Sequence, residues 1–238
     1  MRILAVISLA FMALAAYASR QFVETSAQFL GTTTVPVTTY PCTLSGWYKP
    51  ANNISNHAVV YVGSTTDSRR FMLYRARTSD GNVMRASSIP DGGGTGSDAI
   101  GSTAITDSSR WYHVAAVFAS AASRKVYVDG VLEGTDTNSV TTTSLNRYAI
   151  GARGAPVPTW GAYASSKIAE VGVWNVALSD SEIAQIAKGV NPQRIQLAAL
   201  KSYVPLCTDL SPDIDITGRT IGLTNSPSAS LDHPPVFR

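Results

Sequence analysis

Two carboxylates four residues apart, Asp129 and Glu133, are the first candidates for chemistry in this sequence. Paired carboxylates can act as acid and base in hydrolysis when they face a common substrate. Asp129, however, is followed by Gly130 and stands between two β-type runs, residues 127–128 and 131–132. An Asp-Gly pair in that position is typical of a type I′ hairpin turn, because both central residues need a positive φ. We therefore predict that Asp129 is a turn residue and that Glu133 lies on the returning strand, not as its acid–base partner.

The other residues that commonly carry catalysis are isolated. The three histidines, His57, His113 and His233, are far apart in the sequence. His113 falls in an apolar run that is typical of a strand, where a structural role is expected. The sequence contains neither a G-x-S-x-G nucleophile elbow nor an H-E-x-x-H metal motif. We therefore expect no enzyme activity.

The composition argues against a nucleic-acid partner. Charged residues make up 15% of the chain, against roughly 25% in an average soluble domain. The net charge is +3, from 19 basic and 16 acidic residues, and the basic residues are scattered. Nucleic-acid-binding proteins usually concentrate basic residues on one face, so we expect no nucleic-acid partner.

The N-terminal residues 1–18 have the pattern of a signal peptide. Arg2 is followed by an apolar run over residues 3–16 and by a small-x-small motif that ends at Ala18. The run is shorter than the ~20 residues of a membrane-spanning helix, so we expect no membrane span. The alternative is an uncleaved hydrophobic segment that packs on a partner. Export would place Cys42 and Cys207 in an oxidising compartment, which makes them a candidate disulfide.

Short strand-like runs dominate the rest of the chain. They are separated by polar turns, and the glycine-rich segment 90–102 is predicted to be a flexible loop. One helix is predicted near residue 180, because Ser179 and Glu182 form a capping box and Gly189 can end the helix. Many short strands without alternating helices favour an antiparallel β-sandwich.

Several blocks resemble the laminin-G-like domains of the concanavalin A-like lectin/glucanase superfamily. The central one is RWYHVAAVFASAASRKVYVDGVLEG, at residues 110–134. CTLSGWYKP (42–50), YAIGARG (148–154) and KIAEVGVWNVALSDSEIAQI (167–186) resemble other family strands in the expected order. The resemblance implies an all-β fold: a two-sheet antiparallel jelly-roll sandwich with one short helix towards the C-terminus. It implies a sandwich domain over residues 19–190.

The remaining residues, 191–238, are expected to form a closing strand and an extended tail. This tail resembles an extension seen in bacteriophage-type proteins. The expected location is secreted and extracellular. Because of the likeness of the tail, the alternative location is a virion surface, where the partners would be virion proteins.

Glucanases of the superfamily carry an E-x-D-x-x-E motif, which this chain lacks, so a glycoside hydrolase is disfavoured. Some laminin-G-like domains bind calcium at the sandwich rim. Calcium is accordingly the one cofactor that the resemblance suggests, and the loop residues Asp91 and Asp98 are its candidate ligands. The alternative is that both aspartates serve only as turn residues.

Trp160 and Tyr163, in the loop 154–166, are the candidate ligand-binding aromatics, because exposed rings can stack on sugars. The sequence thus favours a non-catalytic glycan-binding or adhesion module, secreted or on a particle surface, whose partner is a glycan or a host-surface polysaccharide. The alternative is a structural or decoration protein of a phage virion that uses the sandwich for protein–protein assembly.

Overall fold

Strands are the main regular structure of the molecule. The computed structural model describes residues 19–51, 55–154, 159–206 and 213–237, so the predicted signal segment 1–18 lies outside the described residues. The strands, in chain order, are β1 (Ser19–Phe22), β2 (Phe29–Thr32), β3 (Cys42–Pro50), β4 (His57–Gly63), β5 (Arg70–Arg75), β6 (Val83–Ile89), β7 (Ser97–Ala104), β8 (Tyr112–Ser120), β9 (Ser123–Val128), β10 (Val131–Asp136), β11 (Arg147–Ile150), β12 (Arg153–Gly154), β13 (Trp160–Gly161), β14 (Ser166–Trp174), β15 (Leu200–Val204), β16 (Asp213–Ile214), β17 (Thr220–Thr224) and β18 (Ser228–Ser230).

Helical structure is short. The α-helix α1 spans Asp180–Ala187, and the 3-10 turns are Glu24–Ser26, Thr78–Asp80, Asp91–Gly93, Pro192–Arg194 and Leu197–Ala199. Over the described ranges, no helix has the length and apolar character needed to cross a membrane.

Two antiparallel sheets pack face to face. The first runs β10-β9-β8-β3-β14-β1-β18, with β15 also paired to β14, and the second runs β16-β17-β2-β11-β4-β5-β6-β7. The predicted all-β jelly-roll sandwich with one short helix is confirmed. The segment predicted as a closing strand and tail supplies strands to both sheets, since β15 pairs with β14, β17 with β2 and β18 with β1.

Strand β8 shows why the sandwich buries two layers of side chains. Val114, Ala116 and Phe118 point into the core between the sheets, whereas Ala115 and Val117 point to the opposite face. Successive side chains on a strand alternate between faces. Because both sets are apolar, both faces of the first sheet must be covered.

Helix α1 covers one part of the outer face of the first sheet. The predicted capping box is confirmed, with the Ser179 side chain and Glu182 bonded reciprocally to each other's backbone N–H. Ile183 and Ile186 are buried against the sheet, in a cluster that also holds Trp174.

The C-terminal segment covers another part of the same face. The carboxylate of Asp232 accepts hydrogen bonds from Lys49 Nζ at 2.8 Å, Lys167 Nζ at 2.9 Å and Trp111 Nε1 at 2.9 Å. Partial burial alone would raise the pKa of Asp232, but the hydrogen bonds from Lys49, Lys167 and Trp111 outweigh it and hold the pKa at about 2. The tail is therefore anchored across strands β3 and β14 by a charge-assisted contact.

The composition of the glycine-rich segment 90–102 predicts a flexible loop, but the structure contradicts this for the second half of the segment. Residues from Ser97 onward form β7 and pair with β6. A Cβ at Gly101 would lie 2.8 Å from the Glu133 carboxylate and 3.0 Å from the Met84 carbonyl oxygen. Glycine is needed there for close approach of backbone and side chain, so its presence does not mark a flexible turn.

Candidate functional site

The carboxylates Asp129 and Glu133 have structural partners. Asp129 and Gly130 adopt φ values of 49° and 81°, and Val128 pairs with Val131, which confirms the predicted hairpin. Asp129 accepts a hydrogen bond from the His113 backbone N–H at 2.9 Å. Glu133 accepts from the backbone N–H groups of Ser102 and Thr103, both at 3.0 Å. The Asp129 side chain thus binds a backbone N–H beside the hairpin turn, and the Glu133 side chain binds two backbone N–H groups of β7.

His113 and Ser45 form a pair that resembles a base and a nucleophile. Nε2 of His113 lies 2.9 Å from Ser45 Oγ. Both residues are fully buried, and Nδ1 of His113 has no hydrogen-bond partner among the described residues. Burial lowers the pKa of His113 to about 3. A neutral imidazole that no substrate can reach and that no carboxylate orients is a core residue.

We expect stability to fall as the pH drops from about 6.5 towards 3. Burial, reinforced for His57 by Arg75, also lowers the pKa of His57 to about 3, whereas unfolded histidine titrates near 6.5. Within that window the unfolded chain binds protons that the folded chain does not, so protonation favours unfolding. Urea midpoints at pH 7.5, 6.5, 5.5 and 5.0 measure this, and His113→Gln should flatten the slope. An unchanged slope in His113→Gln would contradict the assignment.

Glu170 is also enclosed. It is 1% exposed, it accepts a short hydrogen bond from the Tyr203 hydroxyl, and its Oε1 lies 3.3 Å from His233 Nε2. These contacts join β14 to β15 and to the C-terminal segment. The carboxylate therefore faces the protein's own groups, as expected of a structural role.

The structure does not bring Asp91 and Asp98 into one network. Asp91 accepts hydrogen bonds from the backbone N–H and hydroxyl of Thr143, at 2.9 and 2.7 Å. Asp98 accepts from the Tyr74 hydroxyl at 2.9 Å and lies 3.5 Å from Arg85. Within the described ranges, no three His, Cys, Asp or Glu side chains are grouped as a metal site requires. A calcium role for either aspartate stays a prediction.

Cys42 lies fully buried in the core between the sheets. Cys207 lies outside the described residues, so the proposed disulfide stays a prediction.

Trp160 and Tyr163 lie on the outer face of the second sheet. Phe29 contacts both, with ring centroids 4.2 Å from Trp160 and 6.2 Å from Tyr163. The guanidinium of Arg147 lies 3.9 Å from the Trp160 ring centroid, which is a cation–π contact. Both aromatics are partly buried. The two predicted residues are therefore brought together, and Trp160 is already engaged by protein groups.

A groove on the same outer face crosses β5, β6 and β7. It has a volume of about 470 Å³, and its lining includes Arg70, Tyr74, Arg85, Ser87, Asp98 and Asn138. Such a volume is within the usual range for small-molecule sites. The strands expose these residues together because Tyr74 pairs with Arg85 and Met72 pairs with Ser87, so alternate positions share one face.

The arginines of this face are what the sequence reasoning missed. Part of the signal was present, since Arg70 and Tyr74 occupy alternate positions of one strand-like run, but Arg85 joins their face only because it pairs with Tyr74. Their convergence depends on the pairing register, which the sequence alone does not specify.

A family model for laminin G-type domains, described as the concanavalin A-like lectin/glucanases superfamily, matches residues 24–184. The chain belongs to this superfamily. No curated protein matches the chain by sequence.

Solved structures share the fold at low sequence identity. A putative carbohydrate binding protein from Bacteroides ovatus has a TM-score of 0.67 and 18% identity, with 93% of this chain and 62% of that chain covered. A SAP-like pentraxin from Limulus polyphemus has a TM-score of 0.60 and 16% identity, covering 73% and 82%. The CBM40 of Ruminococcus gnavus IT-sialidase has a TM-score of 0.54 and 19% identity, covering 71% and 97%. This chain thus spans about three fifths of the Bacteroides protein.

Proposed function

We propose that this protein is a non-catalytic glycan-binding or adhesion module that binds its ligand on the outer face of the second sheet. The observation that carries the proposal is the contrast between the two outer faces. The first sheet is covered by α1 and by the C-terminal segment held through Asp232. The second sheet carries partly buried aromatics, Trp160, Tyr163 and Tyr74, beside a groove of about 470 Å³.

This arrangement suits a sugar better than an apolar ligand. Aromatic rings provide faces for the C–H-rich side of a sugar, and fixed polar groups provide directional hydrogen bonds for its hydroxyls. Tyr74, Ser87 and Asn138 place a phenol, an alcohol and an amide around the groove. The superfamily membership and the carbohydrate-binding descriptions of similar structures support the same conclusion, and the enclosed carboxylates and histidines support a role without catalysis.

The first experiment is a glycan array with the purified protein, in calcium and again in EDTA. Reproducible binding to a defined glycan class supports the module, and loss of binding in EDTA would support a calcium ion in the site. No binding in either buffer would contradict the proposal. The alternative, a structural protein of a particle surface, would then be tested by a search for its protein partner.

We expect Trp160→Ala to weaken glycan binding about fivefold, since aromatic contacts contribute on the order of 1 kcal/mol. Because the ring contacts Phe29 and Arg147, we also expect a loss of about 1 kcal/mol in the free energy of unfolding. Titration against the best array ligand and a urea curve measure the two effects. Phe237→Ala, an aromatic that is 70% exposed on the C-terminal segment, is the control and should change neither. Equal weakening in both variants would argue against this face.

A further inference from the structure

We propose that the outer face of the second sheet selects glycans that carry an anionic group, a sulfate ester or a carboxylate, through Arg70, Arg147 and Arg153. These three residues are called the arginine trio below. The inference rests on the proposed function and adds the charge class of the ligand.

The register of three strands places two members of the arginine trio in one row. Arg147 on β11 pairs with Gly63 on β4, and Gly63 pairs with Arg70 on β5. Neighbouring strands lie about 4.8 Å apart. The two arginines therefore flank a glycine on the same face, at roughly twice that spacing between their backbones.

The gap above Gly63 is filled by Tyr61. A Cβ at Gly63 would lie 2.0 Å from the Tyr61 hydroxyl oxygen, so only glycine lets the phenol lie between the two arginines. Burial raises the pKa of Tyr61, while Arg70, Arg147 and Arg153 act on it in the opposite direction. The hydroxyl is thus a neutral donor surrounded by guanidinium groups.

Arg153 completes the trio from the loop that follows β11. It pairs with Gly161 in the short β12–β13 hairpin, next to Trp160. Burial lowers the pKa of Arg70, and the neighbouring positive charge of Arg153 lowers it further. Asp98, which lines the same groove as Arg70, acts on the pKa of Arg70 in the opposite direction. Burial and a like charge both disfavour the charged guanidinium, and an anionic ligand beside Arg70 would favour it.

Two members of the trio, Arg70 and Arg153, each have a buried donor that a ligand could use. The Nε atoms of Arg70 and Arg153 are buried and have no hydrogen-bond partner in the part of the chain that the structure describes. Arg70 donates from its Nη1 to the Ser68 carbonyl at 3.4 Å. Among the described residues, no side-chain nitrogen of Arg70 or Arg153 lies within 4.0 Å of a carboxylate oxygen. Arg85, by contrast, is 3.5 Å from Asp98, and Arg124 is paired with Asp136. A buried guanidinium N–H without an acceptor costs free energy that an anionic ligand would recover.

The neighbouring groups indicate that the anion is part of a saccharide. Arg147 is stacked on Trp160 at 3.9 Å, and Arg70 lines the groove that contains Tyr74 and Ser87. The trio thus lies between the aromatic cluster and the groove. The planar fork of arginine matches the oxygens of carboxylates and sulfates in paired hydrogen bonds.

The test compares three polysaccharides with one backbone: dextran, carboxymethyl dextran and dextran sulfate. Binding is measured at 0.15 M salt for the wild type, for Arg70→Gln and for Arg110→Gln. Arg110 is the control because its side chain is 49% exposed and paired with Asp129 at the β9–β10 turn of the other sheet, so both substitutions remove one positive charge. We expect the wild type to bind at least one charged dextran at least tenfold more tightly than dextran. Arg70→Gln should weaken that binding at least tenfold, and Arg110→Gln less than twofold.

The outcomes separate this inference from the proposed function. Preference for dextran sulfate alone assigns the site to sulfate esters, and preference for carboxymethyl dextran alone assigns it to carboxylates. No preference for either charged dextran, or an equal loss in Arg70→Gln and Arg110→Gln, overturns the inference. If the glycan array then shows binding to neutral glycans, the proposed glycan-binding function stands and only the preference for anionic glycans is wrong. If the array shows no binding, both fail. Urea curves of the two variants establish that each is folded.

Discussion

Arg75→Ala should lower the free energy of unfolding by about 3–5 kcal/mol, because it truncates a large buried side chain and leaves several buried acceptors without their donor. Arg75 is fully buried at the end of β5. Its guanidinium donates to Asn82 Oδ1 at 2.5 Å, to the Tyr48 hydroxyl at 3.2 Å and to the Ser55 carbonyl at 3.1 Å. Alanine would leave these acceptors without a donor and would also leave a cavity.

Arg77→Ala is the control for this prediction. Arg77 follows Arg75 by two residues, but its side chain is 57% exposed and makes an ion pair with Asp80 at 3.2 Å. An exposed pair of this kind contributes less than about 1 kcal/mol. Urea unfolding of both variants gives the comparison. Similar midpoints for the two would show that the network around Arg75 does not stabilise the sandwich.

Gly189→Ala should cost about 2–4 kcal/mol, the sum of two effects. Gly189 follows the C-cap of α1 with a φ of 92°, a conformation that disfavours a side chain. A Cβ there would also lie 2.2 Å from the Pro235 carbonyl oxygen. The backbone of Phe237 donates to the Gly189 carbonyl at 2.7 Å. The substitution should therefore detach the end of the C-terminal segment as well as strain the helix terminus.

Gly218→Ala separates the two effects. Gly218 also has a positive φ, 77°, but no atom lies within 4 Å of the Cβ position. It should cost only about 1 kcal/mol, the backbone part of the penalty. Hydrogen exchange at the Phe237 amide should accelerate in Gly189→Ala and not in Gly218→Ala. Unchanged exchange in both variants would mean that the segment is held elsewhere, for example by Asp232.

Local patterns were sufficient for much of the fold. The Asp129–Gly130 hairpin follows from turn chemistry, because few other residue pairs accept two positive φ values. The Ser179–Glu182 capping box specifies where α1 begins. The bounds of β3 were predicted at Cys42 and Pro50 and are confirmed. The prediction for residues 97–102 was wrong because Gly101 serves close packing against Met84 and Glu133, which no local pattern reveals.

The sequence by itself thus determined the class of fold, the turns and the helix cap, because alternation and turn geometry act over a few residues. The tertiary structure alone decided which outer face is covered and which groups share the open one. Arg70 and Arg147 meet across Gly63 only through the registers of β11, β4 and β5. Asp232 covers the first sheet only because the chain returns to Lys49 and Lys167. Both arrangements depend on pairing between distant segments, and a shift of one residue in register would turn each side chain to the opposite face.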